Sequence, residues 1–81
     1  MRAIVNGKLY DTEKATRIGN TICFPQIGKY LCIYKTESGN IFAESLEEGI
    51  LLDADDIKKI CSGNPKAVDA YIEIFGMPEE A

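Results

Sequence analysis

The chain has 81 residues, 46% apolar and 27% charged, with a net charge of −4 and neither histidine nor tryptophan. A domain of this size buries only about 60% of the surface its unfolded chain exposes, so there is little bulk for a deep catalytic cavity, and the missing histidine removes the commonest general base and metal ligand. The apolar content excludes a disordered chain, and no apolar run approaches the length of a membrane span.

The opening Met1–Gly7 reaches a turn after three apolar residues, which predicts no signal peptide. Arg2–Val5 and Lys8–Tyr10 flank Asn6-Gly7, the pair best suited to the two positive φ angles of a type I′ turn. A tight hairpin follows, with Ile4 opposite Leu9 on one face and Ala3 opposite Tyr10 on the other. Asp11 is placed to cap a short helix from Thr12, with Ala15 and Ile18 as its apolar positions and Gly19-Asn20 as its stop. Pro25 and Gly28 then predict a loop, with Ile22, Phe24 and Ile27 turned inward.

Tyr30–Thr36 and Asn40–Leu46 form a second hairpin around Glu37-Ser38-Gly39. Gly39 in the left-handed region gives a type I turn plus bulge. This register sets Tyr34 against Phe42 and Tyr30 against Leu46, and places Leu31, Ile33, Ile41 and Ala43 on the opposite face. One face must meet helices; the other is left for the first hairpin or for a partner. Glu47-Glu48-Gly49 is a turn, and Ile50–Leu52 a buried entry segment or short strand. Asp53 caps the next helix, with Asp56 completing a capping-box arrangement and Ile57, Ile60 and Cys61 facing inward. Gly63 ends that helix. Asn64-Pro65 restarts one, with Val68, Tyr71, Ile72 and Phe75 as its core stripe. Gly76 and Pro78 stop it. The expected fold is α+β: two β-hairpins packed against two or three short helices, in a single domain over residues 1–81.

The chemistry tests are mostly negative. Cys23, Cys32 and Cys61 are too scattered for a zinc site and read as buried, reduced thiols of a cytoplasmic protein. A calcium loop starting at Asp53 would need glycine and glutamate where the chain has Lys58 and Asn64. Paired-carboxylate glycoside chemistry through Glu44, Glu47 or Glu48 lacks a sugar platform and a cleft. No glycine-rich phosphate loop is present, and no group activates a cysteine nucleophile. The reading is a non-enzyme without cofactor or metal.

Charge is divided along the chain. Residues 1–36 carry six cations against two acids, a net +4, and residues 37–81 carry eleven acids against three lysines, a net −8. The overall acidity disfavours direct nucleic-acid binding. The candidate partner-binding set is Glu37, Glu44, Glu47, Glu48, Asp53, Asp55 and Asp56. Rows of carboxylates satisfy the same arginines and lysines that hold phosphates; the competing explanation is a solvated face plus helix caps. Two further readings are a self-associating module, a homodimer through an apolar sheet face, and a nucleic-acid binder using Arg2, Lys8, Lys14 and Arg17.

Three stretches occur together: Asn6-Gly7-Lys8-Leu9-Tyr10-Asp11-Thr12-Glu13-Lys14-Ala15, Tyr34-Lys35-Thr36-Glu37-Ser38-Gly39-Asn40-Ile41-Phe42, and Tyr71-Ile72-Glu73-Ile74-Phe75-Gly76-Met77-Pro78-Glu79-Glu80. In this order they resemble a family of small, mostly uncharacterised proteins of phages and mobile elements of Gram-positive bacteria. In its middle the chain departs from that pattern, since the second hairpin leads directly into Glu47–Leu52. The resemblance implies an accessory protein working in the host cytoplasm, where small acidic proteins of such origin are often inhibitors of defence systems. An anti-CRISPR protein that occupies the basic channel of an RNA-guided nuclease as a DNA mimic is the leading expectation. The resemblance supplies no catalytic residue.

Overall fold

A computed structural model describes the backbone of residues 1–24 and 29–81 and the side chains of residues 1–18 and 30–81. The fold is α+β. Strands β1 (Arg2–Val5) and β2 (Lys8–Asp11) pair antiparallel as a two-stranded hairpin. Strands β3 (Thr16–Phe24), β4 (Lys29–Lys35), β5 (Ile41–Ser45) and β6 (Ile50–Asp53) form an antiparallel sheet in sequence order. Helices α1 (Ala54–Cys61) and α2 (Val68–Phe75) complete the chain.

The turn chemistry sets both hairpins. Asn6 and Gly7 adopt φ of 50° and 77°, and the register pairs Ile4 with Leu9 and Ala3 with Tyr10, as the sequence predicts. In the second hairpin Gly39 takes φ 91°, Tyr34 pairs with Phe42, and the Leu46 N–H donates to the Tyr30 carbonyl at 3.0 Å.

Side chains alternate across the larger sheet, so its two faces hold two separate cores. On one face Leu31, Ile33 and Ala43 pack with Ile57, Cys61 and Ala67 of the helical layer. On the other, Phe42 and Leu51 pack with Tyr10, and Ala3, Val5, Ala15 and Tyr34 close around them. Phe42 is fully buried, its ring 5.0 Å from Tyr10 and 5.4 Å from Tyr34 between centroids. The first hairpin is thus a lid on the face that the sequence left open.

Two expectations need correction. The helix expected from Thr12 is a single 3-10 turn, Thr12–Lys14. Asp11 does cap it, accepting from the Glu13 N–H, but Ala15 is already extended and the chain continues as β3 through the residues expected to stop a helix. The cap stabilises only one turn, while Thr16 and Ile18 supply β-branched side chains that favour the ladder with β4. The second correction concerns α2. Val68 is 51% exposed and no residue of α2 is fully buried. The inward set is Ala67, Ala70, Tyr71, Ile74 and Phe75, one position away from the expected stripe. Small Ala67 and Ala70 let this part of the chain approach the sheet, where a β-branched Val68 would hold it off. The expected loop at Pro25 and Gly28 and the inward placement of Ile22, Phe24 and Ile27 lie outside the described residues or side chains.

The cap geometry of α1 is as expected. Asp53 Oδ1 accepts from the Asp56 N–H at 2.9 Å, and Asp56 Oδ2 accepts from the Asp53 N–H at 3.3 Å. Asn64 caps the 3-10 turn Pro65–Ala67, its Oδ1 accepting from the Lys66 N–H at 3.1 Å.

Candidate functional site

The seven acidic residues of the sequence-based site do not share one role. Asp53 is 7% exposed and its carboxylate is fully engaged, by the capping box and by the Asn6 side-chain amide. Hydrogen bonds, first from the Asp56 backbone N–H and then from Asn6, hold its carboxyl below the ordinary carboxylate range against the opposing effect of burial. Asp56 is committed to the same box. Glu47 accepts from the Tyr30 N–H at 3.0 Å and so closes the end of the β4–β5 ladder. Glu44 lies half-buried on β5, where, after burial, it is the main influence raising the Tyr34 phenol above its usual pKa.

Glu37 and Asp55 are exposed on rigid supports. Glu37 tops the β4–β5 loop, which is tied by the Gly39 N–H and Thr36 N–H donating to the Thr36 and Asn40 carbonyls, both at 2.9 Å. Side chains add to this: the Asn40 N–H donates to Thr36 Oγ1 at 2.9 Å, and the Thr36 and Ser38 hydroxyls share a bond of 3.1 Å. Asp55 stands in the first turn of α1, where the positive helix end favours it.

The fold separates the set. β6 runs from the Glu47-Glu48 turn at one end of the sheet to Asp53 at the other, so Glu47 and Glu48 lie a strand length away from Asp53, Asp55 and Asp56. Glu37 joins the Asp53 end. A cleft of about 220 Å³ there is lined by Asn6, Lys8, Tyr10, Asn40, Ile41, Asp53, Ala54 and Asp55. A neighbouring cleft of about 580 Å³, lined in part by Leu9, Asp11, Glu13, Lys14 and Glu37, faces the same β4–β5 loop.

Two members of this surface escape the sequence-based set. Asp11 and Glu13 belong to the cationic half of the chain and read as helix-start chemistry; the folded lid carries them across to Glu37. Around the two clefts Asp11, Glu13, Glu37, Asp53 and Asp55 outnumber Lys8 and Lys14. The accumulated negative charge also reaches Tyr10: burial, then Asp53, Asp55 and Asp56, raises its phenol above the usual 10.0.

Among the described residues no group of histidine, cysteine or acidic side chains is arranged to hold a metal ion, and no helix is long and apolar enough to cross a membrane. Cys32 and Cys61 are buried, and burial pushes the Cys61 thiol up. No family model, curated protein or solved structure matches the chain.

Proposed function

We propose that this protein is a non-enzymatic, protein-binding inhibitor that presents the carboxylates at the loop end of its sheet to a cationic, nucleic-acid-binding partner, an RNA-guided nuclease of a bacterial defence system. The reading rests chiefly on Glu37. It is held at the tip of a loop fixed by backbone and side-chain hydrogen bonds, and it shares a cleft with Asp11 and Glu13. A preorganised acid loses little conformational freedom on binding. Arginine and lysine side chains that grip phosphates accept carboxylates by the same charge-assisted bonds. The resemblance of three sequence stretches to phage and mobile-element proteins directs the choice of partner.

A DNA-cleavage assay with a purified, guide-loaded nuclease of a Gram-positive bacterium tests this reading. Stoichiometric addition of the protein is expected to block cleavage, and the paired substitutions Glu37→Lys and Asp55→Lys to restore it without changing the circular dichroism spectrum. Cleavage that proceeds unhindered in excess protein, or inhibition that survives both substitutions, would overturn it.

A second reading has one specific observation behind it. Ile4 and Leu9 pair on the outer face of the lid and are 74% and 62% exposed. In this reading that apolar pair joins two copies of the chain. Light scattering across a concentration series is then expected to show a dimer that Leu9→Lys dissolves; a monomer at every concentration would dismiss it.

A further inference from the structure

We propose that Asn6-Gly7 is a spontaneous modification site, at which deamidation of Asn6 unlatches the β1–β2 lid from helix α1. Asn6 is exposed at φ 50°, and Gly7 follows it at φ 77°. A Cβ built on Gly7 would meet nothing within 4 Å, and the Gly7 N–H donates to nothing among the described residues. The nitrogen is therefore not held in the ladder, and Gly7 has no side chain of its own to hinder ring closure.

The step needs water alone. The Gly7 backbone nitrogen gives up its proton to solvent and attacks Asn6 Cγ. The bond from Cγ to the amide nitrogen breaks, and the nitrogen leaves as ammonia. Water then opens the resulting five-membered imide at either carbonyl, giving aspartate or isoaspartate. One water is consumed, one ammonia is released, and nothing is oxidised or reduced.

The consequence follows from what the lost amide was doing. Asn6 Nδ2 is the donor to Asp53 Oδ2, a link between residues 47 positions apart. A carboxylate in its place cannot donate, and it sets a like charge against a nearly buried one. Asp55 and Asp56 line the adjoining cleft with Lys58 and Lys59, and Lys8 lines the other, so the new charge enters ground already occupied by both signs. Isoaspartate also lengthens the backbone within a two-residue turn whose length sets the hairpin register. The chain contains its own controls: Asn20, Asn40 and Asn64 are followed by Thr21, Ile41 and Pro65, whose bulk or missing N–H obstructs the same ring closure.

The test is to age the full chain at mildly alkaline pH and follow it by peptide mass spectrometry and hydrogen exchange. The peptide containing Asn6 is expected to gain the mass of amide-to-acid conversion with no comparable gain at Asn40 or Asn64. The converted fraction is expected to lose exchange protection across β1 and β2. The variant Asn6→Asp keeps a residue tolerant of positive φ and is expected to lower Tm by about 4–8 °C, and by more than Asn6→Gly, which removes the donor without adding charge. Persistence of Asn6 while Asn40 or Asn64 converts would overturn the proposal. So would an aged chain, or Asn6→Asp, with undiminished protection of the lid.

Discussion

Asn6 and Asp53 meet side chain to side chain, the amide of one donating to Oδ2 of the other, while Oδ1 of the same carboxylate accepts from the Asp56 N–H at 2.9 Å. One group thus ties the turn of the lid to the first turn of α1. Because Phe42 lies beneath that lid, the link also bears on the packing of the second core.

Asp53→Ala removes both bonds, and the cap alone is worth about 0.5–2 kcal/mol. The expected result is a lower urea midpoint together with faster amide exchange in β1 and β2, because the lid loses its polar anchor. An exchange pattern changed only within α1 would show that the Asn6 link is energetically idle.

Acid should act through the same carboxylate. Its folded pKa lies below the ordinary 3.8, so the unfolded chain takes up the proton first as pH falls. The stability it contributes is complete above the ordinary carboxylate range and is lost as pH descends through the lower, folded value. Acid titration of urea midpoints is expected to show this decline in the parent and a shallower one in Asp53→Ala.

Phe42 is the strongest single test of the lid. It is fully buried with Tyr10 and Tyr34 against it. Phe42→Ala is expected to cost about 3–5 kcal/mol and to release the ring of Tyr10 to solvent. At alkaline pH the parent should show the reverse protection: Tyr10 and Tyr34 are raised above 10.0, first by burial and then by nearby acids. Their stabilising contribution holds below that value and fades as pH rises through the folded pKa. Absorbance titration near the phenolate band is expected to find them ionising late, together with loss of the fold.

Ser45 offers a gain. Its hydroxyl is fully buried and finds no hydrogen-bond partner among the described residues. An unsatisfied buried hydroxyl costs about 1–3 kcal/mol, so Ser45→Ala is expected to leave the urea midpoint unchanged or raise it.

The two hairpins and the capping box were legible because their signals are local: Asn6-Gly7, Gly39, and Asp53 three residues before Asp56. β3 was not, because Asp11 caps one turn or a long helix equally well, and only pairing with β4 decides between them. In α2 two stripes share Tyr71 and Phe75, and the sheet surface selects the one with the smaller residues. The candidate site divides in the same way. Glu37 and Asp55 are identifiable as exposed acids of turns and helix starts. That Asp11 and Glu13 join them, while Glu47 and Glu48 lie at the far end of β6, follows from how the lid folds across the sheet.

The loop end of the sheet is the proposed working surface. Amide chemical-shift mapping of the labelled protein, titrated with a guide-loaded RNA-guided nuclease of a Gram-positive bacterium, is the decisive measurement. Signal loss is expected to centre on Asp11–Ala15, Glu37–Asn40 and Asp55, and to be weakened by added salt and by competing DNA. A titration that leaves these amides untouched, or that perturbs only residues remote from both clefts such as Ile4, would overturn it.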